Sequence, residues 1–260
     1  MNIIFLLEKF GRISLIFYSI SRFLFTSFFK GILYEKEADG FKLIKKKNNL
    51  NIIDVGANDG LSSSFFLNNF KKSRILIFEP LRNSLINLKQ INGNKIKIYE
   101  VALGDKNEKK ILNTPYYFFL GTSLKIYLSA YSTINNSNKK IYNLNDELKS
   151  FYFHKNILNE RNTVNIMKLD NYNLKADIIK LDIEGYEDKV IIGAKKIIKK
   201  NKPIMYIERP KLHSIKFLKN IGYKMYIYNM YKKEMINVEK INAEFRNYFF
   251  FFDKKKIKNK

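Results

Sequence analysis

Asn51-Ile52-Ile53-Asp54-Val55-Gly56-Ala57-Asn58-Asp59-Gly60 is a short apolar run that breaks into a turn of small and polar residues. Leu61–Phe70 behind it suits a helix, so the stretch reads strand, turn, helix. Gly56 permits a tight turn and a close backbone approach, and Gly60 opens the helix. A ligand in such a turn sits above the helix N-terminus, against its free N–H groups. The spacing G-x-x-x-G is not the dinucleotide pattern G-x-G-x-x-G, because Asn58 stands where a second glycine would be. Nor is it a P-loop, since no Gly-Lys-Ser/Thr follows. Asp54, just ahead of the turn, suits a cofactor bearing an ammonium group and would repel pyrophosphate. S-adenosylmethionine (SAM), with an amino-acid tail and a sulfonium, has that chemistry.

Downstream, strands and helices alternate. Arg74–Pro80 reads as a second strand, and Glu79 at its end can accept hydrogen bonds from both hydroxyls of a ribose. Leu81–Ile91 suits a helix and Lys95–Leu103 a third strand. Ala176–Ile183 is a fourth strand, Glu187–Lys200 a helix, Pro203–Glu208 a fifth strand and Leu212–Ile221 a helix. Tyr223–Tyr228 and Asn247–Phe252 follow with no convincing helix between them, and can pair antiparallel at one edge. Apolar runs without alternation, separated by helices, predict a mostly parallel sheet covered on both faces. Residues 106–163 interrupt the pattern with Asn, Ser, Tyr and Lys. A long insertion after a strand's carboxyl end lies where such sheets bind ligands, and is expected to act as a substrate-selecting lid.

The fourth strand ends in Lys180-Leu181-Asp182-Ile183-Glu184-Gly185-Tyr186-Glu187. Lys180, Asp182 and Glu184 share one face if the chain stays extended. Three charges at the end of a buried strand are explained by a crevice at the carboxyl ends. Asp182 and Glu184 are the catalytic candidates: a carboxylate there can face the cofactor's methyl group, take a proton from a substrate hydroxyl or hold a divalent metal. The competing reading is an internal Lys–Asp pair with a capping Glu, and it is preferred for Glu187 and Asp188 in the first helical turn. Glu208 ends the fifth strand and should overlook the same crevice. His213 begins the next helix and is a candidate base or a polar cap.

Composition narrows the classes. The 260 residues contain no cysteine, two histidines, no tryptophan and four prolines. Disulfide scaffolds, thiolate zinc sites, Cys nucleophiles and three-histidine metal sites are excluded. Hydrophobic residues make up 46%, enough for a core, and the length suits one large domain. Lys and Arg total 48 against 24 acidic residues, a formal charge of +24. Arginine, however, occurs only at 12, 22, 74, 82, 161, 209 and 246. Readers of nucleic acid favour arginine forks, so a lysine-rich surface predicts no specific DNA or RNA partner.

Residues 3–34 stand apart. Their longest uncharged run, Ile13 to Ser21, is far short of the roughly 20 residues of a spanning helix, and no cleavage site follows. Glu8, Arg12, Ser19, Arg22, Thr26 and Lys30 fall on one helical stripe, opposite Leu6, Phe10, Ile13, Phe17, Ile20, Leu24 and Phe28. Such a helix suits a membrane interface, and equally suits packing on its own domain or on a partner. The expected organisation is an amphipathic helical segment over 1–40, a catalytic domain over 41–253 carrying the insertion, and a basic tail over 254–260. The expected location is cytoplasmic, peripheral at the inner face of the cytoplasmic membrane.

The chain resembles the FkbM family of SAM-dependent methyltransferases. The matching stretches are Ile53–Gly60, Phe78-Glu79-Pro80, Ala102-Leu103-Gly104-Asp105, Leu169-Asp170, Ile179–Glu187, Gly193-Ala194 and Ile207-Glu208. The resemblance implies a Rossmann-like class I methyltransferase fold with a mostly parallel seven-stranded sheet, the last strand antiparallel. It implies that Asp54, Gly56, Ala57, Asn58 and Gly60 surround the methionine part of SAM. Glu79 would hold the ribose, and Ala102 and Leu103 would flank the adenine. Asp59 departs from the pattern, where an apolar residue is usual. The activity implied is O-methylation in natural-product or glycan pathways, here of a hydroxyl on a sugar, a glycan or a lipid-linked precursor. A nucleic-acid methyltransferase and a non-catalytic, membrane-associated binding protein on the same fold are the alternatives. The first lacks an Asn/Asp-Pro-Pro-Tyr/Phe motif, and intact Asp54, Gly56, Gly60 and Glu79 count against the second.

Overall fold

A computed structural model describes residues 35–45, 49–89, 95–118, 125–134, 157–253 and 257. The amphipathic stripe of residues 3–34, His154 and most of the basic tail lie outside the described residues. So do 119–124 and 135–156 of the insertion.

A 3-10 helix, Lys36–Leu43, precedes strand β1 (Asn51–Val55). Helix α1 (Leu61–Asn69), β2 (Arg74–Phe78), α2 (Arg82–Lys89), β3 (Ile96–Tyr99) and β4 (Ala102–Leu103) follow. The insertion contributes β5 (Glu108–Phe118), β6 (Lys125–Tyr127) and β7 (Leu158–Met167). Then come β8 (Ile178–Leu181), α3 (Glu187–Gly193), α4 (Lys195–Asn201) and β9 (Ile204–Glu208). Helix α5 (Leu212–Asn220), β10 (Lys224–Asn229), β11 (Glu234–Asn237) and β12 (Asn247–Phe251) complete the described elements.

The principal sheet has eight strands in the order β11-β10-β12-β9-β8-β1-β2-β3. The strands β9-β8-β1-β2-β3 are parallel, as the unalternated apolar runs require. Strand β12 runs antiparallel between β9 and β10. The α/β class and the antiparallel last strand therefore stand. The count of seven does not, because β11 adds an eighth strand by pairing with β10. The two late strands pair antiparallel as expected, but β11 is the edge strand beyond them.

Two further expectations change. Lys95–Leu103 is not one strand: β3 stays in the principal sheet, and β4 leaves it to pair with β7. β4, β7, β5 and β6 form a second sheet of four strands, dominated by the long β5–β7 ladder. Among its described residues, the insertion supplies most of that second sheet. The helix expected over Glu187–Lys200 breaks in two at Ala194. There a Cβ on Gly193 would lie 1.8 Å from the Gly104 carbonyl oxygen. Two motifs far apart in sequence, Ala102–Asp105 and Gly193-Ala194, meet at this contact.

Hydrophobic burial divides between the faces of the principal sheet. On one face Ile53, Val55, Leu181, Met205 and Ile207 pack with Val190, Ile191, Ile198 and Leu218 of α3, α4 and α5. On the other, Ile52, Ile75, Ile178 and Tyr206 pack with Phe65 and Phe66 of α1, Leu85 of α2 and Phe41 of the 3-10 helix. Phe41 is fully buried, its ring 4.9 Å from Phe249 and 5.1 Å from Tyr206. Ala38 is buried in the same cluster and Glu37 accepts from the N–H of Asn247 at 2.8 Å, so residues just ahead of Phe41 pack on the domain as well.

Candidate functional site

The turn after β1 is built as the glycine spacing requires. Gly56 has φ 73°, and its N–H donates to the Phe78 carbonyl at 3.1 Å. A Cβ at Gly56 would lie 2.1 Å from the Asp182 carbonyl oxygen, so only glycine lets this turn close against the end of β8. Ala57 is buried, Asn58 adopts φ 49°, and the Gly60 N–H donates to the Ala57 carbonyl at 2.8 Å. Gly60 is the N-cap of α1.

Asp54 is fully buried, and its Oδ2 accepts from the hydroxyls of Ser62 and Ser63, both at 2.6 Å. Its Oδ1 faces Lys180 Nζ at 3.2 Å. Asp54 is thus a strut beneath the turn, tying α1 to β1. Lys180, also buried, donates to the Gly56 carbonyl at 2.9 Å and pairs with Asp182 Oδ2 at 3.4 Å. Burial disfavours its charge, but the carboxylates of Asp54 and Asp182 outweigh that and hold the ammonium above its ordinary range.

Glu79 stands on the opposite wall of the turn. Its Oε2 accepts the Asn58 N–H at 2.9 Å and its Oε1 the Leu81 N–H at 3.0 Å. Each oxygen keeps a further lone pair. Burial pushes the carboxyl up to about 7, against the two backbone N–H donors. Asn58 is fixed in turn by Ser84, whose hydroxyl donates to its Oδ1 at 3.2 Å. Ala102 and Leu103 are buried next to this wall, Ala102 in the same apolar cluster as Leu81.

Asp182, Glu184 and Glu208 converge, as expected, at the carboxyl ends of β8 and β9. One carboxylate oxygen from each lies within 4.8 Å of the others, a spacing compatible with a shared hard cation. The route differs from the expected one. The strand ends at Leu181, and Glu184 takes φ 52°, so the chain turns instead of staying extended. The Glu187 carboxylate fixes that turn, accepting from the N–H groups of Ile183 at 3.2 Å and Gly185 at 3.1 Å. Burial and the hydrogen bond with Asp182 raise Glu208 to about 8. Asp182 is lowered instead: burial opposes this, and the charge of Lys180 and the bond with Glu208 prevail. The two shifts run in opposite directions, toward a neutral Glu208 and an ionised Asp182.

Two residues at this site were not singled out from the sequence. Arg246 donates to Glu208, and Glu35 is raised to about 7 by burial and by the charge of Asp182. The Asn247 side-chain amide holds Glu35 Oε2 at 2.7 Å. Neither residue belongs to a motif, and the only signal for Arg246 was the scarcity of arginine. His213 is exposed on α5, outside the convergent carboxylates. Asp188 accepts from the Ser214 hydroxyl, a structural contact.

The half-buried Asp182 and the buried Glu208 thus stand at the strand ends beside the Gly56 turn, with Glu79 bonded to the same turn through Asn58. Comparison with known proteins bears on which cofactor. No curated protein matches the chain. Among solved structures, the chain is similar to methyltransferase FkbM from Methylobacillus flagellatus KT, at 16% identity and a TM-score of 0.48. That match covers 81% of this chain but 45% of the other, so this chain spans less than half of that protein's length. It is also similar to precorrin-6Y C5,15-methyltransferase from Geobacter metallireducens GS-15, at 12% identity and a TM-score of 0.38, covering 83% of each chain. The family model described as the methyltransferase FkbM domain matches residues 54–237, from the strut under the turn to the end of β11. That span takes in the turn, Glu79, the carboxyl pair and the whole insertion, and the chain belongs to the FkbM methyltransferase family.

Proposed function

We propose that the protein transfers a methyl group from SAM to a hydroxyl of a sugar, a glycan or a lipid-linked glycan precursor. The observation that carries the reading is the pairing of the Gly56–Gly60 turn with Glu79, whose two oxygens are locked by backbone N–H groups yet keep lone pairs free. Those lone pairs suit the two hydroxyls of a ribose. The turn suits the methionine portion, with Asp54 and Lys180 bracing it from below. SAM, when bound, supplies an electrophilic methyl on a sulfonium.

The chain's own residues then have two tasks. The first is alignment: the turn and the end of β8 hold the reactants in line, which supplies much of the rate in a simple displacement. The second is removal of the hydroxyl proton, since a neutral hydroxyl is a poor nucleophile. Asp182 is the anion of the carboxyl pair and is the acceptor for that proton. Glu208 and Glu184 position it and spread the charge. A divalent cation on the three carboxylates would serve instead by lowering the hydroxyl's pKa.

The acceptor class is supported by the chemistry of the site and by family membership. A lipid-linked acceptor is supported by the amphipathic stripe of residues 3–34, which suits peripheral membrane contact. The first test is calorimetric titration of the folded protein with SAM, with NAD as the control. Micromolar binding of SAM and none of NAD is expected. Absence of SAM binding by folded protein overturns the reading.

A further inference from the structure

We infer that the rim of the candidate site docks on an anionic lipid bilayer through the tip of the β10–β11 hairpin. The tip is Met230-Tyr231-Lys232-Lys233. Tyr231 is 94% exposed and Met230 40%, whereas most large apolar side chains among the described residues are buried. Asn229 presents them: its side-chain oxygen accepts the N–H groups of Tyr231 at 3.0 Å and Lys232 at 2.9 Å. An aromatic and a methionine next to two lysines match the composition of interfacial anchors, apolar bodies among headgroups and ammonium groups on lipid phosphates.

The position of the tip gives the contact its meaning. β10 and β9 are both antiparallel to β12, so they run in the same direction. The turn after β10 therefore lies at the end of the sheet where Asp182 and Glu208 converge. Leu212, 64% exposed at the start of α5, follows β9 at that same end. Lys211 beside it donates to the Gly185 carbonyl at 2.6 Å. Glu35 is held there too, by Asn247. The chain thus enters the domain at this rim, directly after the segment whose stripe suits a membrane interface. A hairpin tip is also too small for a stable protein interface, which needs about 800 Å² per partner. A bilayer needs only a few inserted side chains and favourable charge, and the chain carries +24.

Docked this way, the mouth of the site faces the lipid plane, where the head of a lipid-linked acceptor lies. The orientation deepens the methyl-transfer reading and rests on it for its purpose, whereas the lipid contact itself does not.

The chain has no tryptophan, so one can be placed as a unique reporter. Full-length Tyr231→Trp protein is mixed with vesicles of phosphatidylglycerol and phosphatidylcholine, or of phosphatidylcholine alone. Lys72→Trp, in the turn before β2 at the opposite end of the sheet, is the control. The expected result is a blue shift of the Tyr231→Trp emission on the anionic vesicles, reversed by salt, with none for Lys72→Trp. A Met230→Ser/Tyr231→Ser double variant should bind those vesicles about tenfold more weakly. No vesicle binding, or binding without a shift in Tyr231→Trp, overturns the inference. SAM titration of the same variants separates the two readings: retained SAM binding without a lipid shift sinks only the docking, and a lipid shift without SAM binding sinks only the methyl transfer.

Discussion

Lys180 Nζ reaches from β8 to the carbonyl oxygen of Gly56 at 2.9 Å, so the strand carrying the catalytic candidates also holds the turn that would receive the cofactor. The same ammonium sits between Asp54 and Asp182. The turn proposed to bind the cofactor and the carboxylate proposed to take the proton therefore share one buried cation.

Removing that cation should damage both. Lys180→Met leaves the buried Asp54 carboxylate without its ammonium partner, and breaking a buried pair in this way costs about 3–5 kcal/mol. Chemical denaturation should show that loss. In whatever fraction stays folded, SAM affinity should fall as well. A Lys180→Met protein with unchanged stability would mean that the charge is not needed to hold Asp54 in place.

Asp182→Asn tests the proton acceptor. Asparagine keeps the size and can still hydrogen-bond Glu208, but it cannot take a proton. Turnover on an identified acceptor should fall about a hundredfold or more, with SAM binding within a few-fold of the parent. Unchanged turnover would remove Asp182 from the mechanism.

The pH dependence follows from the raised carboxyls. Glu35 and Glu79 stand at about 7 and Glu208 at about 8, each above 4.5. A carboxyl raised in the folded state favours folding in its neutral form. Its contribution is complete below about 4.5 and is lost as pH rises through 7 to 8. Asp182 is lowered, so its contribution is lost only on acidification below its ordinary value of 3.8, outside that window. Without ligand, the melting temperature should therefore fall between pH 5 and pH 8, by about 5 °C. Glu79→Gln should flatten the fall and weaken SAM binding, because one acceptor becomes a donor. A melting curve that rises across this range would contradict the burial of all three.

Phe41→Ala tests whether the segment before β1 belongs to the domain. Its ring is fully buried against Phe66, Tyr206 and Phe249. Truncation should cost about 3–5 kcal/mol. If the 3-10 helix were only a tether, stability would barely move.

The parallel half of the sheet was legible because Ile52, Ile75, Ile178 and Ile204 lie in uninterrupted apolar runs, which both faces of a covered sheet demand. Glycine spacing located the turn, since few conformations fit Gly56 so close to Asp182. Asp182, Glu184 and Glu208 were legible because charge at the end of a buried strand needs an explanation. The switch of Ala102–Leu103 to a second sheet was not, because partners 64 residues away leave no local mark. The surroundings of Asp54 were hidden for a related reason. Its charge was visible, but Ser62 and Ser63, which bond its Oδ2, read only as helix residues. Glu35 lay in a segment set aside as a separate helix, and it joins the site through Asn247, 212 positions away.

The placing of β12 between β9 and β10 bears on how the molecule is made. A ribosome delivers β9 and β10 first, and each then waits with an open edge until residues 247–251 emerge. Glu37 can hold the N–H of Asn247 only after that insertion, across 210 positions of chain. Synthesis order and spatial order thus conflict at the very rim that would meet the acceptor. Until its closing strand slots in, the nascent chain leaves the edges of β9 and β10 that face each other unpaired, and chains cut short before residue 247 should aggregate instead of folding.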